Sequence, residues 1–252
     1  MIELLVIAGL VAVLTIQTYL LIKTRKIHME VWQLQNGVRA TLANEFHQNW
    51  ALRQLEYILK FPAPLPSTRG WAGSPDFLLE IAREALSKKP NTLFECSCGT
   101  STIVLARVAQ LNGIGHVYSL ENDERFANET RENLTQLGLA EFATVIHAPF
   151  EKYLINNTHY EWYSTTGIKD NLTIDLMVID GPPTIKVSQA RYPALPLLKD
   201  RLSSGALIFL DDAKRQGEVE IVRQWTKEFA NITSESLEAE KGLVKLIWMP
   251  AR

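Results

Sequence analysis

Four groups of residues in this 252-residue chain could do chemistry. The first is the run Glu95-Cys-Ser-Cys-Gly-Thr-Ser-Thr102, a turn of small side chains that lets backbone amides approach a ligand closely. The second is Glu121, 22 positions past Gly99, where a carboxylate can accept hydrogen bonds from two ribose hydroxyls. The third is Asp180-Gly-Pro-Pro183 and the fourth is the pair Asp211-Asp212.

The first two together fit an adenosine-containing cofactor. A pyrophosphate-binding loop would carry three glycines as Gly-x-Gly-x-x-Gly, whereas this turn has one and opens with the acidic Glu95. A carboxylate beside two phosphates is electrostatically unfavourable, and beside an amino acid ammonium and a sulfonium it is favourable. S-adenosylmethionine is therefore the expected cofactor. Cys96 and Cys98 are too few ligands for a metal site and read as small buried hydrophobes without a redox role.

These residues need elements that hold them, and the pattern from residue 74 onward supplies them. Ser74-Pro75-Asp76 reads as an N-cap, a first-turn proline and an acid at the positive end of a helix. Strands are then predicted at 92–96, 116–120, 143–147, 174–180 and 206–210, with helices at 102–111, 124–137, 189–202 and 218–229. Stretches 232–237 and 243–249 read as a final antiparallel pair, since no useful helix fits between them. The expected fold is α/β: a Rossmann-like, doubly wound, mostly parallel seven-stranded sheet with an antiparallel last strand. In such a sheet ligands sit beyond the carboxyl ends of the strands, and all four groups fall there.

The amino-terminal end is different in kind. Residues 2–22 are almost wholly apolar, with no charge from Leu4 to Ile22, and a helix of that length crosses a bilayer core of about 30 Å. Neither a basic start nor a small-x-small cleavage site marks a signal peptide. Thr15 and Thr18 are tolerable if each hydroxyl bonds back to its own helix. Glu3 precedes the span while Lys23, Arg25 and Lys26 follow it, which puts the bulk of the chain in the cytoplasm. Apolar residues at helical spacing from Ile27 to Leu59 predict a stalk, with the heptad phase slipping after Val38. A coil pairing two copies into a homodimer and a helix lying on the domain or the membrane are both open. The expected organisation is an anchor at 1–22, a stalk at 23–60, a proline-rich linker at 61–73 and a domain at 74–252.

At this level the chain resembles the class I S-adenosylmethionine-dependent methyltransferases, within them the bacterial membrane-anchored group. The matching stretches are Gly70-Trp-Ala-Gly-Ser-Pro-Asp76, Phe94 through Thr102, Val117-Tyr-Ser-Leu-Glu-Asn-Asp123, His147-Ala-Pro149, Asp175 through Pro183, Ala190 through Leu198 and Leu210-Asp-Asp-Ala-Lys-Arg215. The resemblance implies a cofactor site of Glu95, Ser97, Gly99, Thr100, Ser101, Glu121, Asn122, His147, Ala148 and Asp180. Glu95, Ser97 and Gly99 would line the methionine end, Glu121 the ribose, His147 and Ala148 the adenine. Ser97 stands where the family's loop usually carries Gly, and it fits if its φ is negative.

Asp180, Asp211 and Asp212 are the expected catalytic residues, in one of two ways. In catechol-type methyltransferases of the same fold, carboxylates at these places bind Mg²⁺ or another divalent cation, for which hard oxygen ligands are suited. Alternatively Asp180 is a general base or a contact to the substrate hydroxyl, and Asp211 or Asp212 caps the following helix or pairs with Arg191 or Arg215. Arg191 and Tyr192 either contact the acceptor or pack their loop. Trp162 and Tyr163, in a polar segment expected to be loop, form an acceptor wall or a satellite core.

The expected activity is O-methylation of a small-molecule, glycan or lipid-linked acceptor at the membrane. The rivals are a dinucleotide-binding oxidoreductase and a non-catalytic membrane scaffold that keeps the fold. Nucleic acid is not an expected partner, because beyond residue 60 the chain has 20 basic against 24 acidic side chains. The five Asn-x-Ser/Thr matches, at Asn128, Asn133, Asn156, Asn171 and Asn231, read as chance in a cytoplasmic domain.

Overall fold

The computed structural model describes residues 1–183 and 189–249, so 184–188 and 250–252 of the expected domain lie outside the described residues. The chain divides into two compact units, Met1–His47 and Gln48–Arg252.

The first unit is helical throughout, part of α1 (Ile2–Leu59). No proline interrupts it. Thr15 and Thr18 donate to the carbonyls of Val11 and Leu14 at 2.7 and 2.8 Å, which satisfies both hydroxyls inside the helix. α1 is long and apolar enough to cross a membrane: its most apolar 18-residue window has a mean hydropathy of 2.3, and none of that window is buried.

The second unit begins at Gln48, 26 residues before the expected domain start. Ala51, Leu55 and Leu59 recur at helical spacing and are buried in its core, so the last turns of the expected stalk belong to this fold. The helix ends at Lys60, whose φ of 47° is left-handed, and Arg107 satisfies the final carbonyls by donating to Leu59 O and Lys60 O at 2.8 Å each.

The elements that follow are α2 (Pro75–Lys88), β1 (Thr92–Cys96), α3 (Thr100–Asn112), β2 (His116–Glu121), α4 (Glu124–Gln136) and β3 (Ala143–His147). After a hairpin of β4 (Phe150–Ile155) and β5 (Thr158–Tyr163) come β6 (Ile174–Ile179), α5 (Ala194–Leu198), β7 (Leu202–Asp211), α6 (Gln216–Glu228), β8 (Ile232–Leu237) and β9 (Leu243–Trp248). The seven-stranded sheet has the order β3-β2-β1-β6-β7-β9-β8. β9 is antiparallel to both neighbours because it enters between β7 and β8, and β3, β2, β1, β6 and β7 pair in parallel. The expected sheet class and its antiparallel last strand hold.

Strand residues alternate between two cores. Leu93, Leu176, Val178, Leu207 and Phe209 face the cluster with α2 and α3, while Phe94, Met177, Ile179, Ile208 and Leu210 face the cluster with Tyr192, Leu195 and Trp225. Both faces are covered, as parallel strands require.

Two expectations need correction. The helix predicted at 189–202 is a turn, the five-residue α5 and one 3₁₀ turn, because Pro193 and Pro196 limit it and β7 already begins at Leu202. The segment expected to be loop is the β4–β5 hairpin. Its turn is Asn156-Asn157, with φ of 48° and 61°, the left-handed pair a two-residue hairpin needs.

Candidate functional site

The pocket lies beyond the carboxyl ends of the parallel strands and has a volume of about 750 Å³. Its first wall is the turn between β1 and α3. Ser97 has a φ of 125° and Gly99 one of 136°. The Ser97 value corrects the expectation of a negative φ: a side chain occupies a backbone conformation that suits glycine, at a cost of order 1–3 kcal/mol. Ser97 N donates to Leu120 O at 3.0 Å, which holds the turn against β2. Gly181 is required opposite, because a Cβ there would stand 3.0 Å from Cys96 O and from Ser97 Cβ, and would run into Tyr163 Oη.

Glu121 ends β2 and is 7% exposed at the pocket wall. It accepts from Asp123 N at 2.9 Å and from Cys98 Sγ at 3.4 Å. Asn122, Thr100 and Ser101 line the same end. Glu95 does not: it is fully buried beneath the turn, accepting from Thr102 Oγ1 at 2.6 Å and Ser119 Oγ at 3.0 Å. Burial pushes its carboxyl up to about 7, and the Ser101, Thr102 and Ser119 hydroxyls only partly pull it back. Glu95 thus braces the turn. His147 and Ala148 also fall outside the lining; Ala148 is buried with its amide on Glu121 O at 2.7 Å, and His147 is exposed.

The other end lies under β6 and β7. Asp180, Arg191 and Asp212 line it, and Asp211 is fully buried behind them. Arg191, whose side chain is 3% exposed, donates from Nη2 to Asp212 Oδ2 at 2.7 Å, Asp180 O at 2.7 Å and Asp180 Oδ1 at 3.3 Å, and from Nη1 to Asp211 O at 2.9 Å. Arg215 pairs with Asp212 at 2.9 Å. Burial pushes the Asp180 carboxyl up to about 6 against the pull of Arg191, and pushes Asp211 up to about 8, with Asp180 and Asp212 adding to it. Burial alone would lower the Arg191 guanidinium, but Asp180, Asp212, Glu218 and Asp211 more than offset it. Tyr192 does not reach the pocket. It is buried, and its hydroxyl donates to Glu228 at 2.7 Å, so its role is packing.

The three aspartates present oxygens within 4.8 Å of one another, as a hard cation requires. Arg191 lies among them. A cation ligated at about 2.1 Å by Asp212 Oδ2 would be held within about 5 Å of Arg191 Nη2, two like charges in a buried site. The residues present do not fit a divalent cation beside Arg191.

Three further contributors complete the wall; two escaped the sequence reading, and Tyr163 was one of the alternatives it left open. Cys98 is half-buried at the pocket with its thiol on Glu121 and, at 3.1 Å, Thr130 Oγ1, so it is a wall residue and not simply a core hydrophobe. Tyr163 contributes to the wall from β5, whereas Trp162 is wholly buried. The third is the proline-rich segment taken as a linker. Residues 64–67 and 70–73 line the pocket, with Ser67 O accepting from Thr100 Oγ1 at 3.0 Å. This strap is fastened to the β8–β9 loop: Arg69 pairs with Glu240, and Lys241 Nζ donates to Gly70 O and Ala72 O at 3.0 and 3.2 Å. Asp76 ties the same places together, accepting from Glu240 N and Gln48 Nε2 at 2.7 Å each and from Ser74 Oγ at 2.6 Å. Its proline content signalled a helix stop; its docking depends on residues about 170 positions away.

Residues 96–213 match the family model described as a methyltransferase domain. No curated protein matches the chain. Among solved structures, the O-methyltransferase TomG from Streptomyces achromogenes, in complex with SAM, superposes with a TM-score of 0.54 at 14% identity, covering 81% of this chain and 89% of its own. The O-methyltransferase from Bacillus cereus, in complex with SAH, gives 0.53 at 16% identity, covering 82% and 97%. SAH-bound methyltransferase PaMTH1 from Podospora anserina gives 0.53 at 13% identity, covering 86% and 96%. At such identities these likenesses establish the fold. The second unit has the fold of these methyltransferases, and its residues 96–213 match the model of a methyltransferase domain.

Proposed function

We propose that the protein is an S-adenosylmethionine-dependent O-methyltransferase, anchored in a membrane by residues 2–22 with its domain in the cytoplasm. One observation carries the reading: a single pocket joins the Ser97–Gly99 turn and Glu121 at one end to Asp180 and Arg191 at the other. The donor set fits that cofactor. Glu121 would accept from the ribose hydroxyls beside Asn122, and the Ser97–Gly99 turn with Thr100 and Ser101 would line the amino acid end. The wall carries Glu121, Asp123, Glu129, Asp180 and Asp212 against Arg191, Arg215 and Lys241, an acidic excess that suits a cationic ligand and opposes a pyrophosphate.

When bound, S-adenosylmethionine supplies a sulfonium methyl group to a nucleophile held in line with it. This chain's part is placement and proton removal. Asp180, with its carboxyl raised to about 6, is ionised at neutral pH and positioned to accept the proton of an acceptor hydroxyl. Arg191 holds Asp180 through its side chain and its carbonyl, and so keeps the base aimed into the pocket. The strap closes one side and limits water.

The membrane part of the reading rests on α1 and on the basic residues Lys23, Arg25 and Lys26 after the apolar run. An acceptor at that surface, a glycan, lipid-linked intermediate or small molecule, follows from the anchor.

The test is calorimetry on the full chain in detergent, titrating S-adenosylhomocysteine and NAD side by side. S-adenosylhomocysteine is expected to bind and NAD to produce no heat of binding. Binding of NAD alone would make the protein an oxidoreductase, and binding of neither would leave a scaffold.

A further inference from the structure

The carboxylate cluster under β6 and β7 has a cation of its own. We propose that Arg191 is the resident counter-ion of Asp180, Asp211 and Asp212, that the site takes no divalent metal while Arg191 is in place, and that the same carboxylates become a metal site once its charge is removed. The proposal concerns the pocket assigned above to methyl transfer, but metal exclusion itself does not depend on that assignment.

The position of the guanidinium is set by the sheet. Its two terminal nitrogens bond the carbonyls of Asp180 and Asp211, at 2.7 and 2.9 Å, and those carbonyls end neighbouring strands. Arg191 is therefore held between β6 and β7 by backbone, with the carboxylates of Asp180 and Asp212 closing on it. A lysine could not reproduce this fork, because it offers a point charge where Arg offers a plane of donors.

The cluster is also over-supplied with acceptors. Both carboxylate oxygens of Asp211 and Oδ1 of Asp212 are buried without a hydrogen-bond partner among the described residues. Glu218, 1% exposed, stands 4.0 Å from Arg191 Nε. Four carboxylates thus face Arg191 and the half-exposed Arg215. Without Arg191 they would be buried like charges whose remaining cations are the half-exposed Arg215 and, acting on Asp180, Lys241, a state that protons or a metal ion would stabilise. Three oxygen ligands within 4.8 Å would then be open to a hard cation.

The experiment follows free Mn²⁺ by electron paramagnetic resonance as it is titrated into the full chain in detergent, with no cofactor present. Wild type is expected to leave the free-ion signal undiminished. Arg191→Gln should remove about one ion per chain, with an affinity at least about tenfold above wild type, a gain of about 1.4 kcal/mol. Adding Asp212→Asn to it should abolish the gain. Arg191→Lys, which keeps the charge, should behave as wild type and serves where the Gln variant does not fold. An ion bound by wild type and lost in Asp212→Asn overturns the proposal. So does a folded Arg191→Gln protein that binds none, or an Arg191→Lys protein that binds as tightly as the Gln variant is expected to. S-adenosylhomocysteine calorimetry on the same samples reads the opposite end of the pocket, so a failure of the methyltransferase reading appears separately.

Discussion

Under β1 and β2 the pocket wall sets Glu121, Asp123 and Glu129 beside a turn of small residues, with Glu121 held by a backbone amide at 2.9 Å. Under β6 and β7 three carboxylates crowd around one guanidinium, and most of their oxygens face protein. In sequence the two ends look alike, an acid just after a strand in each case. One end is built from backbone shape and presents its acids to a ligand, whereas the other is built from charge and has most of its own neutralised internally. An acid's position after a strand says where it is, and its neighbours in space decide whether a ligand can use it.

Four measurements would sharpen or break this contrast. The largest effect is expected at the charged end: Asp180→Asn should lower methyl incorporation from labelled S-adenosylmethionine into a membrane extract by about 10²–10⁴-fold. Its affinity for S-adenosylhomocysteine should change little. In wild type the same activity should rise with pH up to about 6 and then level, because the ionised carboxylate is the working form. At the other end Glu121→Ala should weaken S-adenosylhomocysteine by about 10- to 100-fold in calorimetry, the loss of a charged hydrogen-bond acceptor. Unchanged affinity would remove Glu121 from the ribose.

The third test concerns Glu95. Its carboxyl is raised in the fold from 4.5 to about 7, so its protonated form is favoured by folding. The stability it contributes is full below about 4.5 and is lost as pH climbs through about 7. Urea melts of wild type should show that decline, and Glu95→Gln should flatten it. The smallest effect is expected for Ser97→Gly, which relieves the positive φ and should stabilise by about 1 kcal/mol, seen as a rise of about 2–4 °C in melting temperature. A fall would mean that the Ser97 side chain contributes more than its backbone costs.

The sheet was legible because alternation of apolar strands with amphipathic helices is a local signal, and so were the acids at strand ends. The β4–β5 hairpin was also written locally, in Asn156-Asn157 between alternating residues, but its polar content concealed it. What could not be read depended on distant pairings. The strap at 61–73 has no apolar periodicity, and its place depends on distant partners, Thr100, Glu240 and Lys241 among them. Gln48 to Leu59 continues the helical pattern before it, and burial of Leu55 and Leu59 depends on what packs there, not on their spacing. Arg191 presented the same difficulty: its role follows from two carbonyls brought together by the pairing of β6 with β7.

The fastening of the strap also bears on the order in which the molecule can be completed. The pocket's outer wall comes from residues 64–73, and the loop that holds it comes from Glu240 and Lys241, just before the strand that slips between β7 and β8. During synthesis the wall is made early and its fastening late. A chain that has emerged only as far as β7 already carries Glu121, Asp180 and Arg191, yet it holds the strap by Thr100 and by core packing without the fastening of Glu240 and Lys241. Full enclosure of a ligand, and the protection against unfolding that such binding confers, therefore begins only when β9 takes its place.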